Sequence, residues 1–164
     1  MHRPSLNRRL PTQTLNATHT KRSTTMSTIT RTPVNPVAWG QNFLMHQGEV
    51  TEGAQRVLRC SGQVDLVEDA DAPMGLSAGH EDVRGQLQAI LDSLDALLEG
   101  AGMTRADIVH LTFYATDIPA TLEAYDVYAA WIGETGAMPP QSMIGVASLV
   151  DPGLHLEIEM TAAR

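Results

Sequence analysis

A single cysteine, Cys60, in 164 residues excludes an intrachain disulfide framework and any site built from several thiolates. Aromatic residues make up only 4% of the chain, so a core must rest on Leu, Ile, Val, Ala and Met; apolar residues in all reach 43%, enough to fill one. No apolar run approaches the ~20 residues that span a bilayer, so no membrane segment is expected. The six histidines show none of the short spacings of zinc sites. The stretch from Gly48-Glu49 to Gly53 has too few glycines and no lysine for a phosphate-binding loop. No metal and no cofactor is therefore expected.

Positive charge is unevenly placed. Residues 1–32 hold six basic side chains and no acid, whereas from Pro33 onward five basic residues face nineteen acidic ones, a balance of −14. A body of that sign repels a phosphate backbone, which disfavours nucleic acid as a partner. Residues 1–32, with Arg3, Arg8, Arg9, Lys21 and Arg22 among many Ser and Thr, carry too few apolar residues to offset the entropy of ordering. They read as a disordered extension, either a transit-peptide-like leader or an upstream stretch with the working start at Met26. The poor amphipathic stripe of Leu6, Leu10 and Leu15 favours the second. Residues 33–164 form one domain. A reducing, cytoplasmic setting is expected, or an organelle matrix if residues 1–25 are a leader.

Two helices are legible. Val83, Leu87, Ile90, Leu91, Leu94, Leu97 and Leu98 recur at three- and four-residue steps, with Gly100 and Gly102 as the stop. A second helix is predicted from Pro119 to Ile132, capped by Asp117, with Leu122, Tyr125, Ala129 and Ile132 on its packing side. Period-two runs predict strands at Val57–Ser61, Ile108–Thr116, Ser142–Leu149 and Leu154–Thr161. In the last, Leu154, Leu156, Ile158 and Met160 point one way and His155, Glu157, Glu159 and Thr161 the other. The strand at 108–116 places Val109, Leu111, Phe113 and Ala115 on one face. Its other face, Ile108, His110, Thr112 and Tyr114, is too apolar for open water. The order of elements predicts an α+β sheet with two helices on one side, and the likeliest cover for the other side is a second copy of the chain.

Three segments carry a family pattern. Ser61-Gly62-Gln63 closes an early strand. Ala101-Gly102-Met103, Asp107-Ile108-Val109 and Thr116-Asp117 follow the first helix. Pro140-Gln141-Ser142 leads to Leu156-Glu157-Ile158-Glu159. Together, from about Pro33 to Ala163, they resemble the RidA (YjgF) family of reactive-intermediate deaminases. The resemblance implies a chorismate-mutase-like fold, a mixed sheet of about six strands with two helices on one face, and a homotrimer with small-molecule clefts between subunits. It also implies hydrolysis of enamines and imines to oxo compounds and ammonia without a metal. The alternative is a non-catalytic, small-molecule-binding trimer.

Carried over position by position, Gly62 matches the glycine that orients the ligand, Glu157 the glutamate that holds the attacking water, and Ser142 the serine of the late motif. Three positions depart from the pattern. Gln141 stands where the carboxylate-gripping arginine is usual, Met143 where a cysteine often follows the serine, and Met45 where a tyrosine is expected. A neutral amide contributes about 0.5–1.5 kcal/mol to a carboxylate contact against about 1.5–3 for a charged donor, so the exchange implies a substrate without a carboxylate. Arg59 is the remaining cation to consider as a stand-in. Burial of Glu157 at a subunit seam would suit it to exchange protons near neutral pH, whereas Glu159 reads as an ordinary solvent-facing acid. Cys60 reads as a strand thiol, with no base beside it.

Overall fold

The computed structural model describes residues 29–37 and 39–164. The expected extension, with its alternative start at Met26, lies outside the described residues as far as Thr28. Strand β1 (Thr30–Val34) begins three residues before the domain boundary expected at Pro33. Arg31 is the reason: its guanidinium pairs with Glu49 at 2.8 Å and donates to the carbonyls of Ala106 and Ile108 at 2.6 and 2.7 Å.

Strand β1 pairs antiparallel with β2 (Gly48–Glu52). The chain continues through β3 (Val57–Arg59), a short antiparallel ladder of β4 (Leu66–Glu68) and β5 (Leu76–Ala78), and helix α1 (Val83–Ala101). Then come β6 (Ile108–Ala115), helices α2 (Ile118–Glu123) and α3 (Tyr125–Gly133), β7 (Gln141–Gly145) and β8 (Leu156–Ala163). The main sheet has the order β3-β8-β6-β7, with β7 parallel to β6 and the other neighbours antiparallel. In place of one sheet of about six strands there is thus a four-stranded mixed sheet and two separate two-stranded ladders. The β1–β2 hairpin offers little apolar surface to the helices, with Val34 and Val50 exposed, so its strands pair with each other and Arg31 ties them to the start of β6.

Helix α1 forms as its periodicity predicts. The Asp82 side chain accepts the Gly85 amide at its start, and Gly102, left-handed at φ 66°, ends it. Leu87, Ile90, Leu91, Leu94 and Leu98 are buried against Leu111 and Phe113 of β6 and Leu156, Ile158 and Met160 of β8. Gln86 on the same helix is fully buried and fully used. Its Nε2 donates to the carbonyls of His80 and Gly153 and its Oε1 accepts the His155 amide, which sets the chain two residues ahead of Glu157.

Two sequence expectations change. The helix predicted over 119–132 is broken at Ala124, so three helices pack on the sheet. The Thr121 hydroxyl donates to the Asp117 carbonyl at 2.8 Å, a bond of the kind that bends helices. The break buries Thr121 and turns Leu122 outward. In β6, an irregularity between Ile108 and His110 moves Ile108 into the core and leaves Val109 half-buried, the reverse of simple alternation.

Asp95 of α1 ties three elements together. Arg105 grips it through Nε and Nη2 at 2.7 and 2.5 Å, Trp131 Nε1 donates to it at 3.0 Å, and the guanidinium lies 5.0 Å over the Trp131 ring. Burial opposes ionisation of Asp95, but the hydrogen bonds from Arg105 and Trp131 outweigh it and hold the carboxyl below the usual range. A depressed folded-state pKa contributes stability that is present above the unfolded value, about 3.9, and is lost as pH falls through the folded one. Asp95→Asn is therefore expected to cost about 1 kcal/mol at pH 7, solvent still reaching both partners. The deficit should narrow below pH ~4, as paired denaturant titrations at the two pH values would measure.

Candidate functional site

Alternation along β8 decides where the carboxylates go. Leu154, Leu156, Ile158 and Met160 are all buried under the helices, as expected, so Glu157, Glu159 and Thr161 face away from them. Glu159 is exposed and accepts the Tyr114 hydroxyl at 3.0 Å. Glu157 lies opposite Tyr114 in the register, is half-buried, and accepts no hydrogen bond from any described residue.

Gly62 is brought against it by an extra residue in the neighbouring edge. Arg59 lies opposite Thr161, and beyond β3 the pairing resumes with Gln63 opposite Ile158. Three residues have passed on one side and two on the other, hence a bulge. The bulge presses the Gly62 backbone onto Glu157. A Cβ at Gly62 would fall well inside contact distance of Oε1 and 2.5 Å from Cδ, so only glycine leaves the carboxylate its place. Arg59, by contrast, is four register positions from Glu157, roughly 13 Å along the strand at ~3.3 Å per residue. The two do not share a contact.

The other site residues assemble elsewhere. A cleft of about 260 Å³ opens beside β7, and Met45, Gln141, Ser142 and Met143 all line it. Parallel pairing with β6 sets Gln141 and Met143 beside Leu111 and Phe113 on the helix face, and Ser142 beside Thr112 on the open face. The far wall is one that sequence reasoning missed: Trp39 and Phe43 from a 3-10 turn, with Ile118, Leu122 and Tyr125 from the helices. Leu44, left-handed at φ 52°, reverses the chain after that turn. Gly40 makes the reversal possible, since a Cβ there would lie 2.9 Å from the Met45 carbonyl. The signal available in the sequence was the cluster Trp39-Gly40 to Phe43, apolar residues outside any helix or strand pattern.

Gln141 is not a free amide. Its Nε2 donates to the Phe43 carbonyl at 2.9 Å and to the Tyr125 hydroxyl at 2.6 Å, and that hydroxyl donates to Phe43 as well, at 2.8 Å. A carbonyl can only accept, so the nitrogen must face Phe43 and the orientation of the amide is determined. The remaining polar atom, Oε1, is buried without a partner. Burial pushes the Tyr125 phenol up to about 12, against the smaller opposing pull of Gln141. Tyr128 OH, behind the cleft wall, is likewise buried and unpartnered. No charged side chain lines the cleft. Cys60 is half-buried, and burial raises its thiol pKa, in keeping with a strand thiol. Among the described residues no group of three or more His, Cys, Asp or Glu is placed to hold a metal ion, and no helix is long and apolar enough to cross a membrane.

Comparison with known proteins bears on this arrangement. The family model described as Endoribonuclease L-PSP matches residues 46–164. A RutC family protein of Aquifex aeolicus is 32% identical over 84 residues, 51% of this chain and 66% of that protein. Among solved structures, the conserved Rid family protein YyfB of Yersinia pestis is 29% identical, with a TM-score of 0.67 over 82% of this chain and 98% of that one. E. coli TdcF, solved with bound serine, is 26% identical with a TM-score of 0.55 over 80% and 93% of the two chains.

The clash at Gly62 is testable without any activity. Gly62→Ala is expected to push the Glu157 carboxylate aside at a cost of about 1 kcal/mol or less, because the clash falls on the end of a flexible side chain, and that cost should vanish when Glu157→Ala is combined with it. A thermal double-mutant cycle reads the coupling.

Proposed function

Because the chain belongs to the family described as Endoribonuclease L-PSP, the RidA (YjgF) family, we propose that it hydrolyses small enamines or imines without a metal, in clefts completed where copies of the chain meet as a homotrimer. The observation that carries this reading is the Gly62–Glu157 pair: a half-buried carboxylate without a hydrogen-bond partner among the described residues, set against a bulge where only glycine leaves that side chain its place. A carboxylate so placed can hold a water and take its proton.

Gln141 and Met143 lie on the helix face of the sheet, whereas Glu157 and Ser142 lie on the open face, so a single chain cannot close all of them on one ligand. A second copy, laying its Glu157 face against the rim of the cleft, would do so. The uncovered face supports this: Ile144 is 44% exposed beside Tyr114 and Thr112. In the reaction, an enamine first tautomerises to its imine. Water then adds through oxygen to the imine carbon, and Glu157 accepts the water proton. That proton passes to nitrogen to give the carbinolamine; the hydroxyl proton then moves to nitrogen, by way of Glu157, as the C–N bond breaks, the C=O bond forms and ammonia leaves. Gly62 and Ser142 order the ligand. That E. coli TdcF carries serine in its structure supports a small-molecule ligand for this architecture. RNA cleavage, the activity in the family description, is opposed by the −14 balance of residues 33–164.

A second reading, a trimer that binds a small molecule without turning it over, is favoured by one feature: both N–H groups of Gln141 are engaged within the chain. Two imine sources separate the readings, an amino-acid oxidase for imines with a carboxylate and a flavin amine oxidase for imines without one, each trapped by semicarbazide. Hydrolysis lowers the yield of trapped product. Glu157→Gln is expected to slow hydrolysis at least ~10²-fold, and Gln141→Arg to raise activity on the carboxylate-bearing imine about tenfold, the equivalent of ~1.4 kcal/mol. Unchanged trapping from both sources by protein that sediments as a trimer would remove the hydrolase reading.

A further inference from the structure

Three features of the cleft beside β7 together define the chemistry it accepts. Its walls are almost wholly apolar: Trp39 and Phe43, set edge to face with ring centroids 6.4 Å apart, stand opposite Met45 and Met143, with Ile118 and Leu122 at the rim. Large hydrophobic side chains here are left open, Trp39 at 53%, Phe43 at 43% and Leu122 at 47% exposure. Such a surface is stabilised by covering it with something apolar. At about 260 Å³ the space exceeds the ~150 Å³ of an apolar cavity that accepts benzene, so a substituted ring or a branched aliphatic group fits.

The second feature is charge. No cationic side chain lines the cleft. Four arginines of the described chain have partners away from it: Arg31 with Glu49, Arg84 with Asp126, Arg105 with Asp95, and Arg56 with the Ala101 carbonyl. Arg59 stands on the opposite face of the sheet, opposite Thr161. A carboxylate entering the cleft would lose water and gain no counter-charge, and would also meet Glu157 of a neighbouring copy.

The third is the sense of the polar atoms. The donors of Gln141 are consumed by Phe43 and Tyr125, and what is left on that wall is an acceptor, the buried Oε1. With Oε1 itself buried, that wall offers an anionic ligand no free donor.

We propose that this cleft binds an uncharged, largely apolar small molecule, aromatic or branched-aliphatic, that carries no carboxylate. The proposal rests on the reading above that the cleft is the ligand site, and it names the substrate class. The imines it admits are then those of aldehydes and ketones bearing apolar groups, and the products are the corresponding carbonyl compounds and ammonia.

Benzamide and benzoate test it, having one shape but opposite hydrogen-bonding sense and charge. Each is titrated into the full-length protein at pH 7 by calorimetry, with quenching of Trp39 fluorescence, compared against Trp39→Phe, locating the site. Benzamide is expected to bind at least tenfold more tightly than benzoate. Gln141→Arg, checked by its melting curve, is expected to reverse that order; the wild-type comparison stands without it. Equal affinities, tighter benzoate, or no binding of either probe at millimolar concentration would overturn the proposal. Sedimentation of the same sample keeps the two readings apart. A trimer that hydrolyses imines yet prefers benzoate refutes the ligand class alone, whereas a monomer that prefers benzamide upholds the class and refutes the seam.

Discussion

The two-faced central strand β8 is the constraint on which the molecule depends. Burying Leu156, Ile158, Met160 and Ala162 beneath the helices stabilises the fold by roughly 1.5–3 kcal/mol for each large side chain. Because strand side chains alternate, the same burial forces Glu157, Glu159 and Thr161 outward. A slip of one residue would bury two carboxylates and expose the core, so the register is held strongly. The position of Glu157 is thus a by-product of core packing. Its local surroundings are not: the bulge at Ser61-Gly62 brings backbone close, and Gln86 secures the turn into β8 from the opposite side of the core. A rigid scaffold carries a carboxylate that no described residue pairs with.

The cleft is braced from within by one side chain, Gln141. In this chain the residue at the late motif is a neutral amide, and its two N–H groups join the 3-10 turn at Trp39–Phe43 to Tyr125 of α3. The amide draws an aromatic wall inward. A neutral amide and an apolar wall are thus tied together by the same hydrogen bonds, and charge and shape at the cleft point to the same class of ligand. The family description speaks of an endoribonuclease; an acidic body and a small apolar cleft are poorly suited to a polyanion.

Much of the fold was legible before any coordinates. The seven-residue apolar stripe from Val83 to Leu98 and the alternation from Leu154 to Met160 are strong periodic signals; the helix formed where it was read, and the strand formed two residues later than read, at Leu156–Ala163. The weaker elements were not visible. Strands β1, β2, β4 and β5 are short and carry no sustained alternation, so only their partners make them strands. The break at Ala124 and the irregularity at Ile108–His110 are single-residue events that leave hydrophobic spacing nearly intact. Motif matching placed Gly62 and Glu157 in one site, and the bulge gave that pairing a physical cause.

By itself the sequence determined an aliphatic-cored α+β domain, one carboxylate-bearing strand face and the identity of the changed residue at 141, because periodicity, composition and residue type are local properties of the chain. Only the tertiary structure decided that Gly62 touches Glu157, that Gln141 is already hydrogen-bonded, and that Gln141 and Glu157 fall on opposite faces of one sheet. Those facts depend on register and on contacts between residues as much as 98 positions apart, such as Gln141 and Phe43, which no local pattern encodes.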